Sequence, residues 1–174
     1  MNQPEVVMIG LGYIGLPTAA LIASNKVYVH GVDINPKVVE TINKGQIHIV
    51  EPELDTAVAS AVSEGYLKAG TTPVEANTYL IVVPTPFKAK NEPDISFVEA
   101  ATRAVLPLLK KDDLYIIEST SPIGTTEKIM GLIYEARPEL KNQIYIAYCP
   151  ERVLPGNVMH ELVHNDRVIG GVNK

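Results

Sequence analysis

Val6-Val7-Met8-Ile9-Gly10-Leu11-Gly12-Tyr13-Ile14-Gly15, read together with Val32-Asp33, decides the fold of this chain. Four apolar residues in a row are what a strand covered on both faces shows. Gly10, Gly12 and Gly15 follow at its end as G-x-G-x-x-G. Thr18 to Ala23 then reads as helix and Val27 to Val32 as a second strand, closing on Asp33 eighteen positions past Gly15. An ordinary glycine-rich turn needs none of this context. Strand, glycines, helix, strand and acid arrive in the order of a dinucleotide-binding fingerprint.

Each part has a physical task. Gly10 permits the tight turn, Gly12 lets backbone approach a pyrophosphate, and Gly15 lets the helix pack against the strand. The N–H groups at the helix start face the phosphates, where the helix dipole also favours negative charge. Asp33 can accept hydrogen bonds from an adenosine ribose diol and would repel a 2′-phosphate. Ile34 and Asn35 supply no cation to offset that, so the expected cofactor is NAD rather than NADP.

The rest of the chain repeats the alternation. Asn35-Pro36 caps a helix that Gly45 ends, and Glu51-Pro52-Glu53-Leu54 starts another that Gly65 closes. Tyr66–Ala69 is a short strand candidate. Thr78–Val83 is a continuous apolar strand, stopped by Pro84-Thr85-Pro86. Residues 87–94 read as loop and Ser96–Leu109 as helix, irregular near Pro107. Leu114–Glu118 is the next strand, Thr125–Ala136 a helix and Ile144–Tyr148 a further strand. A short helical stretch at Val158–His164 and an apolar run Arg167–Ile169 follow. Strands alternating with helices predict an α/β fold of Rossmann type, a doubly wound, mainly parallel sheet with helices on both faces. Ligands in such sheets sit beyond the carboxyl ends of the strands. Gly10–Gly15, Pro84–Pro86, Ser119–Gly124 and Cys149–Arg152 should therefore line one crevice.

Composition bounds the function. The 174 residues carry a net charge of −5, with 46% apolar and 20% charged. That suits one domain with a sizeable core and offers no broad basic surface, so no nucleic-acid or membrane partner is expected. The single Cys149 excludes an internal disulfide. Met1–Glu5 lacks a positively charged start, and glycines and Pro17 interrupt the apolar stretch that follows. Neither signal peptide nor membrane span is expected, which makes the cytoplasm the default location.

His160-Glu161-Leu162-Val163-His164 matches H-E-x-x-H, two imidazoles one helical turn apart with a carboxylate between them. The sequence after His164 holds no His, Cys or Glu to complete a zinc site, so no metal is expected. His30 and His48 have no evident partner and read as structural or exposed.

Seven stretches resemble the N-terminal part of the UDP-sugar 6-dehydrogenases, the UDP-glucose/UDP-mannose dehydrogenase family. They are Ile9–Pro17, Val32–Asn35, Ile47–Glu53, Val83–Lys88, Glu118–Gly124, Ala147–Gly156 and Asn165–Gly171. The Ile47–Glu53 and Cys149–Gly156 segments are the more specific, and resemble members acting on UDP-N-acetyl-D-mannosamine. The resemblance implies oxidation of the sugar C6 alcohol to a carboxylate with two NAD, through cysteine-bound intermediates. It places Tyr13, Ile14 and Asp33 on the adenosine half of NAD, with Thr85, Thr120 and Thr126 toward the nicotinamide. Glu151, with Thr120, would manage a water at the reacting carbon, and Arg152, Val153 and Leu154 would lie along the UDP-sugar.

The family's central helix, lysine, cysteine nucleophile and second nucleotide-binding-like domain have no counterpart in residues 1–174. Cys149, before Pro150, stands where that cysteine does not occur. The expectation is therefore an NAD-binding domain spanning residues 1–174, inactive alone, from an enzyme that pairs as a homodimer. UDP-glucose or another UDP-hexosamine stays open as the substrate, as does a non-catalytic NAD-binding module.

Overall fold

In the computed structural model, which describes residues 3–172, seven strands form one sheet. They are β1 (Val6–Ile9), β2 (Val29–Val32), β3 (Leu67–Gly70), β4 (Thr78–Ile81), β5 (Leu114–Ile117), β6 (Tyr145–Tyr148) and β7 (Gly170–Gly171). Their spatial order is β3-β2-β1-β4-β5-β6-β7, all parallel except β7, which runs antiparallel to β6. The order reverses between β1 and β4, so a crevice opens there at the carboxyl ends. Register keeps that rim level: Ile9 stands beside Val32 and Ile81, Ile81 beside Ile117, and Ile117 beside Tyr148.

Among the described residues six α-helices cover the faces: α1 (Gly15–Ser24), α2 (Pro36–Asn43), α3 (Leu54–Ser63), α4 (Ser96–Val105), α5 (Thr125–Ala136) and α6 (Val158–His164). Successive strand residues point to opposite faces, and the core divides accordingly. Val6 and Met8 pack with Leu16, Ala19 and Ala23 of α1 and with Leu54 and Val58 of α3. Val7 and Ile9 pack with Val98 and Val105 of α4 and with Ile129 and Ile133 of α5. Small residues on α1 let that helix lie close over the sheet.

The doubly wound sheet matches the expectation, and the element bounds differ for identifiable reasons. Helix α4 stops at Val105 rather than Leu109. Pro107 has no N–H to continue the ladder, and the chain tightens so that Leu108 N donates to Val105 O at 2.9 Å. Strand β2 begins at Val29, two residues late, because Lys26 takes a left-handed φ of 64° that ends the preceding turn. Glu51 does not start α3. That helix begins at Leu54 after Glu53 adopts a φ of 65°, and Glu51 turns inward. The run Arg167–Ile169 forms no strand, and Val168 and Ile169 are exposed.

His30 on β2 is buried, with Nε2 3.2 Å from Thr72 O. Burial holds its pKa below the ordinary 6.5, the Thr72 carbonyl opposes this, and the Lys68 charge adds to the lowering. The unfolded chain therefore takes up a proton first as pH falls. Stability should drop as pH falls from about 6.5 to the native value of His30, and level off below it. His30→Gln should remove that limb from the wild-type curve. Urea midpoints across pH 5 to 8 give the check, and identical curves for the two proteins would contradict it.

Candidate functional site

The turn after β1 is held by backbone. Gly10 N donates to Val32 O at 2.8 Å, and Gly10 has a φ of 99° that side-chain-bearing residues rarely adopt. A Cβ there would also lie 2.3 Å from Val82 O. Leu11 is fully buried, and its N–H donates to Asp33 Oδ2 at 3.2 Å. Asp33 Oδ1 accepts from Asn35 N at 2.9 Å. Asp33 thus braces the glycine turn against the end of β2, a role its spacing did not reveal.

Helix α1 starts at Gly15 with no side-chain cap and no acid in its first turn. Among the described residues, no acceptor takes the N–H groups of Gly12, Tyr13 or Ile14. Gly12 is exposed, and a Cβ on it would meet nothing within 4 Å. Gly15 is the opposite case, its Cβ position lying 1.9 Å from Gly10 O. An open backbone face, an uncapped helix N-terminus and a carboxylate at the next strand end fit a dinucleotide's pyrophosphate and ribose.

Those residues line a crevice of about 340 Å³ with Val83, Pro84, Thr85, Glu118, Ser119, Thr120 and Glu151. Thr85 Oγ1 donates to Thr120 O at 2.6 Å, tying the ends of β4 and β5 together. Ser119 Oγ accepts from Val83 N at 2.9 Å and donates to Ile81 O at 3.2 Å. The crevice therefore has fixed walls. It gathers Gly10, Gly12, Tyr13, Ile14, Asp33, Thr85, Thr120 and Glu151 in one place, as the strand-end argument requires. Gly15 lies buried behind it.

Thr126 is not in that crevice. It sits in the first turn of α5 beside a separate hollow of about 310 Å³, with Ile123, Tyr148 and Gly171. Arg152, Val153 and Leu154 leave the crevice as well. Arg152 Nη2 donates to Asp166 O at 2.9 Å, and Leu154 is exposed while its N–H donates to Glu161 Oε2 at 2.9 Å.

Three charged residues were not singled out from sequence. Glu118, at the end of β5, is buried with its side chain fully covered. Its Oε1 accepts from Arg167 Nη1 at 2.8 Å, and Arg167 Nη2 pairs with Glu151. Burial pushes the Glu118 pKa up, Arg167 pulls it down, and the Glu151 charge raises it further; the net direction is upward. Glu51 is the third. Its carboxylate accepts from Gly156 N at 2.9 Å and Val158 N at 2.7 Å, more than a hundred residues on. An acid closing an otherwise apolar strand was a visible signal for Glu118. For Arg167 and Glu51 the partners are too distant in sequence to leave one.

The H-E-x-x-H stretch forms α6, where Glu161 is committed to Leu154 N and to the side-chain amides of Asn157 and Asn165. The two imidazoles stack with centroids 4.1 Å apart. No cluster of three or more His, Cys, Asp or Glu able to hold a metal occurs among the described residues. No helix among them is long and apolar enough to cross a membrane. Cys149 is buried, 3.8 Å from Arg167 Nη1.

Residues 4–174 match the sequence model of the UDP-glucose/GDP-mannose dehydrogenase family, NAD binding domain. The chain is 56% identical to the UDP-N-acetyl-D-mannosamine dehydrogenase of Escherichia coli K12, covering 99% of this chain and 43% of that protein. It is 54% identical to the NDP-N-acetyl-D-galactosaminuronic acid dehydrogenase of Ralstonia nicotianae, covering 95% and 41%. The structure of UDP-D-ManNAc dehydrogenase from Pyrococcus horikoshii superposes with a TM-score of 0.92 at 41% identity, over 97% of this chain and 41% of that one. The chain spans less than half the length of the curated relatives it matches.

Proposed function

Since the chain belongs to the UDP-glucose/GDP-mannose dehydrogenase family through its NAD-binding domain, we propose that it forms the cofactor half of a UDP-N-acetyl-D-mannosamine 6-dehydrogenase. The observation that carries this is the single crevice running from Asp33 past Gly12 and Thr85 to Thr120 and Glu151. NAD is the cofactor. Asp33 would hold the adenosine ribose, and the amides at Gly12–Ile14 the pyrophosphate. Thr85 and Thr120 would line the nicotinamide end. Bound there, NAD supplies a hydride acceptor.

The residues of this chain then have separate duties. Oxidation of one CH2OH to carboxylate with one water and two NAD releases two NADH and three protons, so a water must be placed and protons removed. The Glu151 carboxylate and the Thr120 hydroxyl, both at the crevice, suit that work. Arg152 and Leu154, both exposed, with the half-buried Val153 between them, would meet the UDP-sugar together with sequence that residues 1–174 do not include. A whole enzyme of this kind would act as a homodimer in the cytoplasm, and its uronate product would serve surface polysaccharide synthesis. The 54% identity to the NDP-N-acetyl-D-galactosaminuronic acid dehydrogenase supports a second reading, with a nucleoside-diphosphate N-acetylgalactosamine sugar in the same place.

The whole protein should release two NADH for each UDP-N-acetyl-D-mannosamine consumed, followed at 340 nm. Residues 1–174 alone should bind NAD and release none, because the family's cysteine and lysine have no counterpart in them. In the whole protein Glu151→Gln should lower kcat about a hundredfold. One NADH per sugar, or full activity from residues 1–174, would overturn the proposal.

A further inference from the structure

At the β5–β6 end of the crevice, Arg167 spreads its guanidinium between two carboxylates. Nη1 donates to Glu118 Oε1 at 2.8 Å and Nη2 pairs with Glu151. The Glu118 side chain has no solvent exposure and that of Glu151 only 7%. Glu118 Oε2 is buried and finds no hydrogen-bond partner among the described residues. With Glu118 ionised, its single charge is shared over both oxygens, and the guanidinium meets it at Oε1 only. Two carboxylates against one guanidinium sum to a net charge of −1. Covered from water, that charge is screened far less than a surface charge. Both glutamates line the crevice, at the end opposite Asp33.

We propose that Glu118, Arg167 and Glu151 form a charge-selective floor that holds the oxidised dinucleotide in preference to the reduced one. This rests on the placement of the nicotinamide end between Thr120 and Glu151 given above. The oxidised nicotinamide ring carries a positive charge, and hydride addition removes it. A floor of net −1 attracts the first ring and gives no such attraction to the second, whose dinucleotide is also more negative overall. The selectivity suits an enzyme that must shed NADH and take up NAD twice per sugar. Glu118 and Arg167 act here through charge, with Glu151 as the group nearest the reacting carbon.

Binding to residues 1–174 tests this without turnover. The chain has no tryptophan, so NADH fluorescence reports binding cleanly, with NAD followed by calorimetry at pH 8. The wild-type protein should bind NAD more tightly than NADH. Glu118→Gln makes the floor neutral and should cut that preference about tenfold, mainly by weakening NAD. Glu151→Gln carries the same prediction should Glu118→Gln fail to fold. The double variant, with a net +1 floor, should reverse the preference. Asp33→Asn should weaken both dinucleotides by the same factor, since both share the adenosine half. Equal changes for NAD and NADH in Glu118→Gln, or no change, would overturn the charge-selective floor. An Asp33→Asn variant that weakens neither would instead overturn the crevice placement on which the floor depends.

Discussion

Gly12→Val should keep the stability of the parent protein within about 1 kcal/mol and lower its affinity for NAD about a hundredfold, or about 2.7 kcal/mol. Nothing lies within 4 Å of the Cβ position at Gly12, and its φ is outside the left-handed range, so the fold has room for the side chain. The room is what the pyrophosphate needs, because Gly12 is where backbone N–H groups face the crevice without acceptors. Gly15→Val is the paired control with a different signature. Its Cβ would sit 1.9 Å from Gly10 O and 3.5 Å from Val82 Cβ. Backbone must move, at a cost of about 3 kcal/mol, and NAD affinity should fall with stability. Urea denaturation and calorimetric titration on the two variants separate the cases. A Gly12→Val protein that binds NAD normally would show that the phosphates do not cross this turn.

Glu51→Ala should destabilise the protein by about 2–4 kcal/mol, because two N–H donors lose their acceptor. Val158 is fully buried, and α6 has no side-chain cap from Asn157. Glu51 supplies that cap from the far side of the chain and so anchors the segment that runs from Glu151 to α6. Negative charge at a helix start is also favoured by the dipole. Glu51→Gln keeps one carbonyl acceptor and should lose about half as much. Amide exchange should quicken from Gly156 into α6 in Glu51→Ala and leave the β1–α1 turn unchanged. Loss of protection throughout the sheet, with α6 no worse than the rest, would contradict the anchoring role.

Which parts of this molecule were legible in advance follows from the range of the interactions involved. The β1–α1–β2 unit is local, and its glycines, apolar run and Asp33 signal both the structure and its cofactor. Buried parallel strands announce themselves as apolar runs, which is why Thr78–Ile81 and Leu114–Ile117 were recognisable. Bounds were less so, since Pro107 and the left-handed Lys26 and Glu53 shift ends by a few residues. Pairings across long separations were illegible. Glu51 reads locally as the acid opening a helix, and only the fold turns it toward Gly156 and Val158. Arg167 reads as one charge before an apolar pair, and only the fold sets it between Glu118 and Glu151. Thr126 shows the converse: motif position put it with the cofactor residues, while α5 carries it to a neighbouring hollow.

The most direct test of the central claim, that NAD lies along the strand-end crevice, is amide chemical-shift mapping during NAD titration of the labelled protein. Shifts should concentrate at Gly10–Gly15, Asp33, Val83, Thr85, Ser119 and Thr120. They should be absent around Tyr28, Asn43, Tyr66 and Lys68, which line a larger hollow of about 680 Å³ elsewhere on the molecule. Shifts confined to that second set, with the glycine turn silent, would contradict it.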